Sequence, residues 1–468
     1  MSPKITFCFG IDPGGFLKVF FFFFFFFYYY TVSFLSLGMM EESFPFHYTL
    51  LEYLFTLLGL LLFLLDIALD IWTVVSFYQD GSYVYMAVMI FLLLGSSVLL
   101  QVFSWLWYSE LLEKIETKVE KFTARHSLIK PFHFLQLGVY LRYAGVIEIS
   151  TTHFLQHTNS FTEGIAVYLS HDLQMLRLFE TFSESAPQLT LMMSIILQRG
   201  ELELMTGLKI LTSAAAISSS VAMYHRNMRA FLPKKRKMSW ISTGVYFLWN
   251  LLLIIPRVTA LALFCSVLPC YIIAHFLSLW MLLVLAAWSQ KTNYMEHSGW
   301  EWLYRASVGL IWYFCWFNIS TGSIKFKSIL YYSFMALDTM MLLGFWCWRV
   351  FEYAGCWRSL NPYMVIPTLL GLYAIGILMK IMYYRYFHPN CDEKKITEPT
   401  EEGQFSQVEL CFDQFSAVEL CFDQFSQVAS SVVTGSGNNS RHTRAAATAQ
   451  TLAGVPNRHR KMAANLFS

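Results

Sequence analysis

Residues 51–78 read LEYLFTLLGLLLFLLDIALDIWTVVSFY. Apart from Glu52, Asp66 and Asp70 the stretch carries no charge, and it exceeds the ~18 apolar residues that signal a membrane-spanning helix. Asp66 and Asp70 are four residues apart, so on a helix both side chains lie on the same face. The stretch therefore predicts a spanning helix with two acids on one side.

The composition of the whole chain agrees with this stretch. Of the 468 residues, 56% are apolar. Only 14% are charged, whereas soluble domains contain ~25%. A soluble chain would leave many of these apolar side chains exposed, and intrinsic disorder needs lower hydrophobicity. The net charge of +2 gives no reason to expect nucleic acid as a partner. We therefore expect an all-α, polytopic membrane protein.

Further apolar stretches have the length and composition of spanning helices. Including the first, they lie near 51–78, 83–108, 131–149, 205–229, 241–268, 271–290, 301–319, 329–350 and 363–386. Another segment, 171–199, is interrupted by Glu180, Glu184 and Pro187. Charged stretches survive at membrane depth only where protein or a water-filled cavity covers them. We interpret this segment as a re-entrant helical hairpin.

Basic residues set the orientation, because cytoplasmic loops are enriched in Lys and Arg. Arg226, Arg229 and Lys234–Lys237 mark one cytoplasmic loop. A second carries Lys114, Lys118, Lys121, Arg125 and Lys130, and the last helix ends at Lys380 and Arg385. Only Lys325 and Lys327 oppose the rule, in a short loop that we place outside.

With these loops and the tail inside, one element in each half must not cross. We therefore predict about eight transmembrane helices plus two re-entrant segments, arranged as two pseudo-repeats, 51–229 and 241–387. Both ends of the chain would be cytoplasmic. Transporters built from repeats place their function at the repeat interface.

The first residues, 1–39, contain eight consecutive phenylalanines at Phe20–Phe27. They could form a signal anchor behind Lys18. Alternatively, they are translated low-complexity DNA, a gene-model artefact in front of a start at Met39 or Met40. We favour the second interpretation and take 40–389 as the membrane-embedded body.

The last residues, 390–468, have a different composition from the body. A decapeptide occurs in tandem, FSQVELCFDQ at Phe405–Gln414 and FSAVELCFDQ at Phe415–Gln424, before a Ser-, Gly- and Ala-rich stretch. Such a sequence has no core-forming pattern, so we expect a disordered cytoplasmic tail.

Ionisable residues inside the apolar stretches are the candidate functional groups, since each costs ~2.5–3.5 kcal/mol near the bilayer centre. They are Glu52, Asp66, Asp70, Arg177, Glu180, Glu184, Arg257 and Asp338. One interpretation is buried ion pairs that fix helix packing. The other is a polar pathway, because the acids outnumber the two arginines and cannot all be paired. The residues alone leave both open.

Motifs of catalysis are missing from the sequence. It contains no GxSxG, HExxH, GxGxxG or P-loop, and no CxxC or Cys/His set at metal spacing. Cysteines such as Cys265 and Cys315 lie in apolar runs, where a thiol behaves as a small hydrophobe. His275 and the pair His171–Asp172 lack a nucleophile at defined spacing. We expect a protein that is not an enzyme and has no cofactor or metal.

Four long motifs carry a resemblance to a known family. They are MLRLFETFSESAPQLTLMMSIILQ at 175–198, YFLWNLLLIIPRVTALALF at 246–264, EWLYRASVGLIWYFCWFNIS at 301–320 and YYRYFHPN at 383–390. With them the chain, from about Glu52 to Pro389, resembles the XK-related family of phospholipid scramblases and is most similar to its caspase-activated subgroup.

The resemblance implies energy-independent phospholipid scrambling at the plasma membrane, exposing phosphatidylserine during apoptosis. It implies that Tyr85 is the outer gate. It also implies a headgroup path along Glu52, Asp66, Asp70, Glu180, Glu184, Arg257 and Asp338. One departure is Met223, where the family has an acid, so that Arg226 would lack its expected partner.

The resemblance further implies partners. They are membrane phospholipids, a single-span immunoglobulin-type subunit such as basigin or neuroplastin, and a caspase that relieves autoinhibition by the tail. The tail offers only Asp392, Asp413 and Asp423 as cleavage positions, none in a good context. The alternative function is an ion channel or solute transporter that uses the same charges, and a structural adaptor is a third possibility.

Overall fold

The computed structural model describes residues 50–111, 117–156, 160–199, 204–230, 238–292, 294–295, 297–319, 324–352 and 361–388. All of them belong to one unit, Pro45–Ser468, and the other unit, Met1–Phe44, lies outside the described residues. The predictions made for 1–39 and for 390–468 therefore also fall outside them.

Helices form where the apolar stretches predict them. The first half consists of α1 (Leu50–Gln79), α2 (Tyr83–Leu111), α3 (Lys118–Arg125), α4 (Ile129–Phe134), α5 (Gly138–Gln156), α6 (Ser160–Glu180), a π-helical turn (Thr181–Ser185), α7 (Ala186–Arg199) and α8 (Leu204–Ala230). The second half consists of α9 (Trp240–Val267), α10 (Pro269–Ser289), α11 (Ser298–Phe314), α12 (Ile324–Glu352), α13 (Pro362–Met382) and a second π-helical turn (Tyr383–Phe387).

Local sequence explains several of the boundaries. The Ser239 side chain accepts a hydrogen bond from the Ser242 amide and starts α9, and Asn361 does the same for Tyr363 at α13. Proline stands in the first turn of α10 and of α13, a position where its missing N–H costs nothing. Across the described ranges the secondary structure is entirely helical, which confirms the all-α prediction.

Within the described residues, six helices are long and apolar enough to cross a membrane, in agreement with the prediction of a multi-pass membrane protein. They are Glu52–Gln79, Tyr83–Ser109, Trp240–Val267, Pro269–Ser289, Phe326–Glu352 and Pro362–Phe387. Trp240–Val267 is the central one, because 72% of its most apolar window is buried inside the protein, against 11% for Pro362–Phe387. α9 packs against α7, α8, α12 and α13.

The segment 171–199 is not a hairpin, contrary to the prediction. The helix α6, the π-helical turn and α7 follow one another without reversal, and the residues at both junctions, Glu180 and Ala186, have helical dihedral angles. Pro187 explains the π-helical turn, because it has no N–H for the carbonyl four residues earlier, and a wider turn relieves the clash with its ring. The charged side chains of this helix are covered by α1, α2 and α5, which a hydropathy profile cannot foresee.

The predicted span 131–149 is instead interrupted by a turn between α4 and α5, and these two helices form a hairpin. At this turn the Ser97 hydroxyl donates to Gln136 (2.6 Å) and the Gly138 amide donates to Gln101 (3.0 Å). Ser97 is about 20 Å from the end of α2 at 1.5 Å per residue. The hairpin therefore reaches only to the middle of α2 before α5 returns.

The second half contains a comparable element. The ring of Trp302, near the start of α11, lies 6.1 Å from Trp288 at the end of α10, and Tyr313, near its end, bonds His275 in the first third of α10. The next helix, α12, begins where α13 ends, because Lys380 donates to Ser328. The start of α12, which contains Lys325 and Lys327, therefore lies at the end of the bundle that holds Arg226 and Arg385, hereafter the basic end. The prediction that placed these lysines at the opposite end was wrong.

Candidate functional site

The two acids of α1 face the π-helical turn and α7. Asp70 accepts a hydrogen bond from Gln188 (3.2 Å) and is a neighbour of Glu184. Glu184 also lies next to Ser96 of α2, whose hydroxyl is 2.8 Å from that of Ser183. Asp66 is half-buried one turn earlier on the same face. The spacing of the two acids thus predicted their common face correctly.

One arginine, Arg177, lies among these three acids and a fourth, Glu180. The Arg177 guanidinium pairs with Glu180 at 2.8 Å and lies over the ring of Phe63. Within the described part of the chain, Asp66, Asp70 and Glu184 have no basic group within ion-pair distance. Packing by ion pairs alone therefore does not account for this acidic cluster, which we define as Asp66, Asp70, Glu180 and Glu184.

At the opposite end from the basic residues, Tyr85 closes the line of polar groups. Its hydroxyl donates to Gln198 (2.9 Å), and the Gln198 amide donates to the Ser266 carbonyl (3.1 Å), so that α2, α7 and α9 are joined. Phe77, Met89 and Ile195 pack beside Tyr85. A search for charged residues finds neither Gln188 nor Gln198, because both are neutral.

Glu52 lies near the basic end, where Arg226 is 4.0 Å away. The Arg226 guanidinium also donates to the Met238 carbonyl (2.5 Å) and lies 3.9 Å from the ring centre of Trp240. Arg226 therefore has an acidic neighbour in spite of Met223. A small cavity adjoins the pair, lined by Glu52, Phe55, Thr56, Val167, Ser170, Gln174, Met223 and Asn227.

Arg257 and Asp338 form a second cluster, in the other half of the chain. Arg257 pairs with Asp338 at 2.5 Å and donates to the Tyr313 carbonyl (3.1 Å). Asp338 also contacts His275 (3.1 Å), whose other ring nitrogen meets the Tyr313 hydroxyl (2.9 Å). Among the described residues, one buried donor atom of Arg257, Nη2, has no partner. No hydrogen bond or ion pair in the same residues joins this cluster to the acidic cluster.

A further buried pair was not predicted from the sequence. Arg142 of α5 pairs with Asp172 of α6 at 3.0 Å, and both side chains are almost completely buried. Arg142 also donates to the hydroxyl and carbonyl of Ser104, and the Ser104 hydroxyl meets His133. The network joins α2, α4, α5 and α6 and has the character of a structural support.

Comparison with known proteins identifies the family of this chain. A family profile described as XK-related protein matches residues 54–389. The chain belongs to the XK-related family. This XK-related chain is 39% identical over 380 residues to XK-related protein 8 of Tetraodon nigroviridis, covering 80% of this chain and 92% of that protein.

Two further relatives belong to the same family. XK-related protein 8 of Gasterosteus aculeatus is 40% identical over 363 residues, covering 75% of the XK-related chain and 87% of the relative. XK-related protein 8 of Pan troglodytes is 36% identical over 335 residues, covering 71% and 83%. Both clusters and the Arg142–Asp172 pair lie within the residues that the profile matches.

Proposed function

We propose that this XK-related protein is an energy-independent phospholipid scramblase whose headgroup path follows the polar side of α1. The observation that carries the proposal is the line of polar groups from Glu52 near the basic end, through the acidic cluster, to Tyr85 and Gln198 at the opposite end. Ionisable groups at this depth are costly and are most often kept for function.

The length of the line supports a path across the membrane. From Glu180 to Gln198 the helix rises about 27 Å, close to the ~30 Å of hydrocarbon that a headgroup must cross. Polar groups recur along this distance at Glu184, Gln188 and Gln198. Each of them can replace part of the water that a moving headgroup loses.

Lipid can approach this line from the outside of α1. Only 17% of the most apolar window of α1 is buried, and Leu61, Ile71 and Trp72 are more than half exposed. Asp66 is half-buried and is the entry point, whereas Asp70, Glu180 and Glu184 are buried behind it. A phospholipid could keep its acyl chains against these apolar side chains while its headgroup contacts Asp66.

The charges suit a zwitterionic headgroup. The acidic cluster attracts its ammonium group, since it holds one arginine for four carboxyl groups. In the second half, Arg257 Nη2 is a buried donor without a partner among the described residues, and a phosphate oxygen that reached it would accept its hydrogen bond. We therefore propose Glu52, Asp66, Asp70, Glu180, Glu184, Arg257 and Asp338 as path residues and Tyr85 as the outer gate.

The topology belongs to the same proposal. We propose eight crossing helices, namely α1, α2, the continuous α6–α7 helix, α8, α9, α10, α12 and α13. The two re-entrant elements are the α4–α5 hairpin and α11, each third in its pseudo-repeat. The basic end then faces the cytoplasm, and both chain ends with it.

The biological setting is inferred from the family. We propose exposure of phosphatidylserine at the plasma membrane during apoptosis, and autoinhibition by residues 390–468 that a caspase relieves. We also propose assembly with a single-span immunoglobulin-type subunit such as basigin or neuroplastin.

Reconstitution tests the function directly. The full chain and a chain ending at Asn390 are placed in vesicles with a fluorescent phosphatidylserine, and dithionite measures how fast the lipid changes leaflet. We expect lipid exchange in the shorter chain. The exchange rate should fall at least ~10-fold in the Asp66→Asn/Asp70→Asn variant, because the variant lacks two of the ionisable groups that would contact the headgroup inside the membrane. Asp80→Asn, at the acid directly after the same helix, is the control.

Equal rates in the double variant and the control would contradict the path. Solute flux through the same vesicles, with lipid exchange at background, would instead favour the channel or transporter. Activity in neither assay would favour a structural role.

A further inference from the structure

Residues 117–137, which include α3 and α4, expose both basic and apolar side chains. Four basic side chains are exposed: Lys118, Lys121, Arg125 and Lys130. We name them the basic rim. At the end of α4 and in the turn that follows, Phe134 is 87% exposed, Leu135 61% and Leu137 41%. We name these three the apolar tip.

The acids of this region point into the protein. Glu120 accepts hydrogen bonds from Tyr108 (2.7 Å) and Thr117 (2.7 Å) and is buried. Glu148 of α5 accepts from the Lys118 and Val119 amides at the start of α3. Within the described residues 117–137, every exposed charge is therefore positive.

The two kinds of side chain lie at different depths. The basic rim lies level with Tyr108, next to the end of the candidate span Tyr83–Ser109. The apolar tip lies beside Ser97, to which Gln136 is hydrogen-bonded. Ser97 is about 18 Å from Ser109 along the helix. Charges thus lie where a span ends, and exposed apolar side chains lie where acyl chains would surround them.

We propose that the basic rim binds anionic phospholipid headgroups of the leaflet into which the apolar tip inserts. Basic clusters beside a membrane attract anionic lipids strongly. Apolar side chains at acyl-chain depth anchor the segment that carries the basic cluster. The site would concentrate anionic lipid at the basic end of the bundle. It does not depend on scrambling and would exist equally in a channel.

Site-specific crosslinking tests the proposal in the full chain. A photoreactive benzoylphenylalanine replaces Phe122, which is 61% exposed and stands on α3 between Lys118 and Arg125. The protein is reconstituted in phosphatidylcholine vesicles with a trace of clickable phosphatidylserine or clickable phosphatidylcholine. We expect phosphatidylserine to be captured preferentially at this position. At Tyr363, exposed at the opposite end, we expect no preference.

Charge variants provide the control. We expect K118Q/R125Q/K130Q to lower the preference at position 122 at least ~3-fold, and K118R/R125K/K130R to keep it. Salt at 1 M should reduce it in the wild type, because the screening length falls to ~3 Å. Equal capture of both lipids, or a preference that survives the glutamine variant, would overturn the proposal. So would a preference seen only after residues 390–468 are removed, because the tail would then be the occupant.

Discussion

At the scale of single residues, the sequence identifies charges and the structure decides their partners. Asp66 and Asp70 share a face because of their spacing alone. Gln188, the partner of Asp70, comes from a distant part of the chain, and a neutral polar residue gives no signal in a hydropathy profile. The pairing of Arg142 with Asp172 was not predicted for a related reason, since 30 residues separate the two.

The Arg142–Asp172 pair allows a prediction about stability. Asp172→Asn leaves the Arg142 guanidinium buried without its counter-charge, which costs about 3–5 kcal/mol. We expect a large loss of thermal stability, measured as the temperature at which the detergent-solubilised protein loses its monodisperse elution profile.

The control uses an ion pair of similar geometry at the surface. Arg349 and Glu352 lie 2.8 Å apart, but Glu352 is 45% exposed. Glu352→Gln should change stability by less than ~1 kcal/mol. If both variants melt alike, burial does not set the strength of the Arg142–Asp172 pair.

At the scale of elements, hydropathy predicts which segments are helices better than it predicts how far each one reaches. The bounds of α1 and α2 agree with the predicted stretches to within a few residues. The segments 131–149 and 171–199 were assigned wrongly because depth depends on what covers a helix. A charged helix can run the full length of the bundle when α1, α2 and α5 cover it.

Close packing between α9 and α13 leads to a second prediction. A Cβ atom on Gly376 would lie 2.8 Å from Leu253 and 3.2 Å from Leu252. Gly376→Val should therefore separate the two helices and cost about 1–3 kcal/mol from overpacking, seen as a lower thermal midpoint.

Gly371→Val is the matched control, because it lies on the same helix with nothing within 4 Å of the added Cβ. The change in helix propensity is the same at both positions. Equal midpoints for the two variants would mean that α9 and α13 are not packed this closely.

At the scale of the whole molecule, the position of α12 decides the topology. Sequence reasoning placed Lys325 and Lys327 outside, as exceptions to the excess of basic residues in the cytoplasm. The bond between Lys380 and Ser328 places the start of α12 at the basic end. The exception disappears, and the two lysines join the other basic residues.

Cysteine labelling of intact cells tests this arrangement. Phe326 and Tyr363 are 70% and 75% exposed, at the start of α12 and of α13. In a background without native cysteines, which removes the exposed Cys270 and Cys356 between α12 and α13, Tyr363→Cys should react with a membrane-impermeant maleimide. Phe326→Cys should react only after permeabilisation. Labelling of both in intact cells would contradict the assignment.

Composition and residue spacing are local properties, and they are enough to predict that this protein is helical, lies in a membrane and carries acids on one face of its first helix. Which elements traverse the bundle, which charges are paired and where Lys325 and Lys327 lie depend on the packing of distant segments, because the cost of a charge depends on its surroundings. Those surroundings come from residues far away in the chain, as Gln188 does for Asp70 and Ser328 does for Lys380.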